Sequence, residues 1–226
     1  HMNIVEEFAK WPTGNIADAL WAMGTLTAID DRIRPIFTPI HLAGRAYTIR
    51  VEQTKKKGGH EDQEDILTIA KENSKPGNVI VLACGGYKHG DPVLWGENSM
   101  TACQVRGAVG AIIDGGCRDI ARIRDLKIPL FTRAISPGGR GGTLYGMDYN
   151  IPVTCGGILV NPGDIIIGDD DGVCIIPKET EEEALRAVEY YGKRDQAVAP
   201  ALRQGKTVAE AYAIKRGWEK AAGLKK

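Results

Sequence analysis

Three short apolar runs constrain this chain most. Asn78-Val-Ile-Val-Leu-Ala83, Val109-Gly-Ala-Ile-Ile113 and Pro129-Leu-Phe-Thr132 are separated by stretches of helical pattern at 97–106 and Ile120–Leu126. Runs this short and this continuously apolar read as strands buried on both faces. Strands joined through helices lie parallel, because a parallel pair needs a long crossover and that crossover is right-handed. The middle of the chain is therefore expected to form a βαβαβ core.

The flanks add to this core. Upstream, Ile4–Trp11 is a short amphipathic segment, and Thr13–Leu20 a helix for which Asn15 or Thr13 is the expected cap. Leu42–Val51 reads as a strand, Lys55–Gly59 as a basic turn, and Glu61–Glu72 as a helix with apolar residues at 66, 67, 69 and 70. Downstream, residues 136–172 are dense in Gly, Pro and Asp. Strands are expected there and just beyond at 151–154, 157–160, 165–167 and 173–176, with tight turns at Asn161–Asp164 and Asp169–Gly172. These are antiparallel additions. A long helix from Glu179 to Arg194 and a shorter one over Thr207–Lys215 close the chain. The reading is one α/β domain over residues 3–226, with 178–226 as a helical tail and His1-Met2 as a tag remnant.

Composition excludes some partners. Lysine plus arginine and aspartate plus glutamate number 29 each, so no basic excess points to nucleic acid or an anionic membrane. No window approaches the ~18 apolar residues of a membrane span. The five cysteines, at 84, 103, 117, 155 and 174, form no CxxC pair and no zinc spacing. They read as packing residues in a reduced, cytoplasmic compartment.

Two segments carry chemistry. In Gly96-Glu97-Asn98-Ser99, a glycine leads directly into a helix, whose first N–H groups are free to bind carboxylate or phosphate oxygens. Asp114-Gly-Gly-Cys-Arg-Asp119 follows a core strand, where open α/β sheets place ligands. Taken singly, Glu97 is a favourable charge at a helix start, Asp119 a cap and Arg118 its surface partner. Taken together they differ, because adjacent parallel strands deliver both segments to one sheet edge. Glu97 and Asp119 are hard oxygen ligands suited to Mg2+ or Mn2+, and Arg118 is a planar fork for a carboxylate. Such a set can polarise a small 2-keto acid.

Glu97, twenty intervening residues and Arg118-Asp119 resemble the acid-x20-Arg-Asp signature of the 4-hydroxy-4-methyl-2-oxoglutarate aldolases, class II pyruvate aldolases homologous to the regulator of ribonuclease E activity A (RraA). Asn15–Leu20, Gly107–Asp119, Pro162–Asp164 and Asp169–Pro177 are similar to further motifs of that family. The resemblance implies an α/β sandwich with a swivelling β/β/α-type core, assembled as a homotrimer or a hexamer built as a dimer of trimers. It implies Asp119 as the direct ligand of Mg2+ or Mn2+, with Glu97 holding a metal-bound water. Arg118 and the N–H groups of Glu97, Asn98 and Ser99 would bind the pyruvyl carboxylate and carbonyl oxygen. Cleavage of a 4-hydroxy-2-keto acid to pyruvate follows, with oxaloacetate decarboxylation as a side activity.

Other positions stay open at this level. The family draws a carboxylate from a neighbouring subunit's carboxyl-terminal helix, for which Glu189 and Asp195 are both candidates. His89, Arg140 and the acidic stretch His60–Asp65 are candidates for the distal end of the substrate. The competing function is a protein-binding regulator of an endoribonuclease without turnover. A methyltransferase activity finds no support, since no acidic ribose-binding strand end follows Gly85-Gly86 or Gly115-Gly116.

Overall fold

The computed structural model describes residues 3–53, 66–85, 93–139 and 144–221. In chain order the elements are α1 (Ile4–Phe8), α2 (Thr13–Ala22), β1 (Arg34–Pro35), β2 (Leu42–Gln53), α3 (Ile66–Glu72), β3 (Asn78–Ala83), α4 (Glu97–Gln104), β4 (Gly110–Cys117), α5 (Ile120–Asp125) and β5 (Leu130–Ile135). They continue with β6 (Leu144–Tyr149), β7 (Val153–Cys155), β8 (Ile158–Val160), β9 (Ile165–Asp169), β10 (Gly172–Ile176), α6 (Glu181–Gln196), α7 (Val198–Arg203) and α8 (Val208–Ala221).

The main sheet has eight strands in the order β1-β5-β4-β3-β2-β9-β10, with β6 also pairing β2. β2, β3, β4 and β5 are mutually parallel, and β9 and β10 are antiparallel additions. A two-stranded sheet of β7 and β8 completes the β structure of the described residues.

Strand alternation sorts the apolar residues into layers. In β3, Ile80 and Leu82 join Leu67, Met100 and Ile123 on the helical face of the sheet. Val79, Val81 and Ala83 face the other way, toward Val153 and Val160 of the small sheet. That is the helix–sheet–hairpin layering of a β/β/α-type core. A third cluster joins α1, α2 and α6 to β9 and β10, through Phe8, Ile16 and Leu20 against Ile165, Ile167 and Val188. No helix of the described residues is long and apolar enough to cross a membrane.

Several expectations change in detail. Neither Asn15 nor Thr13 caps α2. Pro12 takes the cap position, and the Asp169 carboxylate accepts from the Thr13 N–H (2.8 Å) and hydroxyl (2.7 Å) across 156 residues of chain. β4 runs on through Asp114-Gly-Gly-Cys117, because its second half pairs with β5 at Gly116–Ala134 and Cys117–Ile135 after a bulge. β1, β6 and α7 are additional elements. The helix predicted over Glu61–Glu72 is described only from Ile66; its start, like the turn at 55–59, lies outside the described residues.

Gly192 shows how tightly α6 docks. A Cβ there would come within 2.2 Å of the Trp11 ring. Alanine normally favours a mid-helix position over glycine by roughly 1 kcal/mol. Here the clash reverses the sign, since overpacking a filled interface costs about 1–3 kcal/mol. Gly192→Ala is expected to lower Tm by a few degrees, read by circular dichroism on heating. A variant more stable than the parent would show that Trp11 and the segment between α1 and α2 yield freely.

Candidate functional site

The site forms where two chain segments run side by side. Beyond the end of β3, Trp95 makes a parallel bridge to Cys117 at the end of β4. Leu94 N–H donates to Gly116 O (3.3 Å), and Arg118 N–H to Trp95 O (3.0 Å). This short extension of the parallel ladder fixes Gly96-Glu97 beside Arg118-Asp119. Glu97 N–H then donates to Asp119 Oδ2 at 3.3 Å, across 22 residues of sequence.

Asp119 occupies the position before α5 but does not cap it. Its backbone is left-handed, φ 59 and ψ 32, and its carboxylate makes no hydrogen bond to the helix. Arg118 Nε lies 3.6 Å from Asp119 Oδ2, with both side chains close to half exposed. Asp119 Oδ1 accepts no hydrogen bond among the described residues. Gly96 makes this packing possible, since a Cβ there would meet Asp119 Oδ2 at 2.7 Å.

Glu97 begins α4, with its carboxylate 3.4 Å from Arg122 Nη1. The expectation that three N–H groups at 97–99 are open is corrected, because that of Glu97 is taken by Asp119. Those of Asn98 and Ser99 meet no acceptor among the described residues. A pocket of about 320 Å³ is lined by Gly96, Asn98, Ser99, Arg118 and Asp119, with Val93, Leu94 and Trp95 as its apolar part. Its third side is α3, through Leu67, Thr68 and Lys71.

The donor set suits a particular kind of cation. Among the described residues no three His, Cys, Asp or Glu side chains cluster, so no all-protein cage exists there. The one exposed carboxylate with a free oxygen, that of Asp119, fits the water-rich coordination of Mg2+ or Mn2+, while Glu97, whose carboxylate faces Arg122, does not line the pocket.

Other predicted residues lie elsewhere. His89, Arg140 and the stretch 60–65 fall outside the described residues. Asp195 sits near the end of α6, where it accepts from Arg194 Nε (3.1 Å) and pairs with Lys215 Nζ (2.9 Å), tying α8 to α6. These two cations hold its carboxyl below the usual carboxylate range against the opposing effect of burial. Glu189 lies on α6; neither it nor Asp195 lines the pocket.

Asp114, the first residue of the Asp114–Asp119 segment, serves the opposite face. It pairs with Arg133 Nε (2.5 Å) and accepts from Gly156 N–H (2.7 Å), while Arg133 also reaches Asp30 (2.7 Å). Arg32 and Arg133 hold the Asp30 carboxyl far below its usual range. The cysteines are all buried and outside disulfides. Burial pushes the Cys117 thiol up to about 12 and that of Cys103 up to about 11, so neither is a thiolate nucleophile at neutral pH.

Sequence reasoning missed Arg122, Thr68 and Lys71. Arg122 lies on α5, one turn in from Asp119, and faces Glu97 only through tertiary packing. Thr68 and Lys71 belong to no motif and reach the site only through tertiary packing.

Fold and site together define an α/β protein with a polar pocket at the carboxyl edge of its parallel strands. The RraA-like (Aldolase/RraA) family profile matches residues 13–175, and the chain belongs to that family. A relative from Halalkalibacterium halodurans, named provisionally as a 4-hydroxy-4-methyl-2-oxoglutarate aldolase, is 30% identical over 211 residues, 93% of this chain and 94% of its own. Streptomyces coelicolor RraAS2, described as an unusual member of the RNase ES inhibitor RraA protein family, superposes with a TM-score of 0.76 at 22% identity. The match covers 85% of this chain and 94% of that one. An uncharacterized protein from Pseudomonas syringae pv. tomato gives a TM-score of 0.75 at 22% identity, over 92% of this chain and 96% of its own. These two structures bear out the sandwich fold.

Proposed function

We propose that this chain is a divalent-metal-dependent lyase. It cleaves a 4-hydroxy-2-keto acid of the 4-hydroxy-4-methyl-2-oxoglutarate kind to pyruvate and a second carbonyl compound, and decarboxylates oxaloacetate as a side reaction. The observation that carries the reading is the meeting of Asp119, Arg118 and the free Asn98 and Ser99 N–H groups in one pocket. The naming of the Halalkalibacterium relative agrees with it.

Asp119 would hold Mg2+ or Mn2+ directly and Glu97 through a water. Bound there, the cation supplies positive charge beside the keto oxygen. Arg118 grips the pyruvyl carboxylate, and the Asn98 and Ser99 N–H groups take up its remaining oxygens. In retro-aldol cleavage the 4-hydroxyl gives its proton to a water in the open pocket and becomes the new carbonyl as the C3–C4 bond breaks. The bond's electron pair moves onto the keto oxygen as an enolate, which Arg118 and the helix start stabilise. C3 then takes a proton from water to give pyruvate. No lysine Schiff base is needed.

Pyruvate release is expected to vanish in EDTA and to return with added Mg2+ or Mn2+, followed by a coupled lactate dehydrogenase assay. A substrate panel yielding no pyruvate under any metal condition, with capture of an endoribonuclease, would replace this reading by that of a protein-binding regulator.

A further inference from the structure

β4 and β5 pair in regular parallel register only as far as Ile113 and Thr132. Beyond them Asp114 and Gly115 stand against Arg133 alone, and pairing resumes one step out of phase at Gly116–Ala134 and Cys117–Ile135. This bulge lies immediately before Arg118 and Asp119. We infer that Thr132 is a positioning residue, whose buried hydroxyl holds the bulge and so sets where Arg118 and Asp119 stand. Thr132 does not line the pocket. The inference rests on the lyase reading for what Arg118 and Asp119 do once placed.

The bulge decides the register of everything after it. Had β4 and β5 stayed in step from Ile113 and Thr132, Gly115 would face Ala134 and Gly116 would face Ile135. Each residue past the bulge would be displaced by one position, about 3.3 Å along the strand. Three segments interlock only in the register that is found. Ser136 N–H, just past β5, donates to Cys117 O (3.1 Å), and Val93 N–H donates to Gly139 O (3.2 Å). Leu94 N–H then reaches Gly116 O, and Arg118 N–H reaches Trp95 O. The 93–96 segment is thus tied to both strand ends at once and cannot follow β4 if β4 slips along β5. On that interlock depends the meeting of the Glu97 N–H with Asp119 Oδ2.

A bulge must itself be held. Its extra residue drops out of the ladder, and a buried carbonyl left without a donor is costly. Thr132 is 5% exposed, and its hydroxyl lies 3.0 Å from Gly115 O on β4 and 3.1 Å from Ala134 O on its own strand. A hydroxyl carries one proton and can give it to either carbonyl, so one side chain bridges the two strands where their pairing fails. Arg133, the lone residue opposite the bulge, pairs with Asp114 and Asp30, and Gly156 N–H donates to Asp114. Those contacts fasten Asp114. Among the described residues, the Thr132 hydroxyl is the side-chain group that reaches Gly115.

Three substitutions in the full chain test this. Thr132→Val keeps the shape and removes the hydroxyl, Thr132→Ala removes hydroxyl and methyl, and Thr132→Ser keeps the hydroxyl. Thr132→Val should weaken Mn2+ binding, read by electron paramagnetic resonance, and lower kcat/KM for pyruvate release. Each loss should be about 10- to 100-fold, the scale on which groups behind a metal ligand act. Thr132→Ser should restore most of both. A hydroxyl that served the fold alone would lower Tm and leave both values unchanged well below melting.

A further readout needs neither metal nor turnover. The Glu97 amide, hydrogen-bonded to Asp119, should shift upfield in the nitrogen–proton NMR spectrum of Thr132→Val and Thr132→Ala but not of Thr132→Ser. The amides of β9, three strands away from β4, serve as the unaffected reference. If wild type neither binds Mn2+ nor forms pyruvate, the lyase reading falls and this shift alone decides the inference. Unchanged Mn2+ affinity with an unmoved Glu97 amide in Thr132→Val overturns it, as does an equal loss in Thr132→Ser. Should Thr132→Val not fold, Thr132→Ala against Thr132→Ser, which differ by the hydroxyl alone, gives the same comparison. If only Thr132→Ser folds, the hydroxyl is a requirement of the fold and the inference falls.

Discussion

Asp119→Asn is expected to lower kcat/KM for metal-dependent pyruvate release by on the order of 10²–10³-fold, the scale of removing one organised electrostatic contact in a reaction site. The choice of asparagine follows from the backbone. Asp119 sits at φ 59, a left-handed conformation that aspartate, asparagine and glycine adopt with little penalty. Asparagine keeps that conformation and can still accept the Glu97 N–H, but it loses the charge and the hard anionic oxygen that a cation requires. Alanine would add backbone strain of roughly 1–2 kcal/mol and mix folding with chemistry. Unaltered thermal melting alongside lost turnover, and loss of Mn2+ binding by electron paramagnetic resonance, is the expected pattern. Turnover within threefold of wild type would remove Asp119 from the metal site.

Gly96→Ala is the second large effect, and it involves no polar group. Gly96 is extended, φ −158, so alanine costs nothing in backbone conformation there. The added methyl would lie 2.7 Å from Asp119 Oδ2 and 3.3 Å from Arg118 Cγ. The first contact is shorter than any real one and the second is tight, so the Asp119 carboxylate, and Arg118 with it, must move by several tenths of an ångström. Misplacing reacting groups on the ångström scale costs about 10²-fold in rate, and that is the expected loss in kcat/KM. Stability should change little, because both displaced side chains are close to half exposed and pay no burial penalty for moving. Full activity in Gly96→Ala would mean that the pair works equally well in a displaced geometry, and the site as drawn would be wrong.

The parallel core was legible because its strands are apolar on both faces: Asn78–Ala83 is the same segment in the sequence and in the fold. The end of β4 was not, since Asp114-Gly-Gly lacks strand chemistry and is held there by pairing with β5. β6 was hidden for a similar reason. Leu144–Tyr149 has a glycine and an aspartate, buries only Leu144 fully, and owes its conformation to pairing with the far half of β2. At the site, the spacing of Glu97 and Asp119 was readable, as was the free helix start. The capture of the Glu97 N–H by Asp119 was not, because it depends on a left-handed residue that no local pattern announces. Lys71 was invisible for a more general reason: a lysine on a short helix carries no signature until its neighbours in space are known.

The third apolar cluster has a consequence for how the chain is made. Phe8, Ile16 and Leu20 are covered by Val188 and its neighbours on α6, so α1 and α2 are buried by a helix synthesised much later than they are. A ribosome adds about 5–20 residues per second, so these apolar faces wait roughly ten seconds or longer, in reach of solvent and chaperones, before their cover emerges. Until then the parallel core can assemble while its amino-terminal flank stays undocked. Loss of α6 during synthesis would thus expose α1 and α2, far from it in sequence, where a protease or holdase would meet them first.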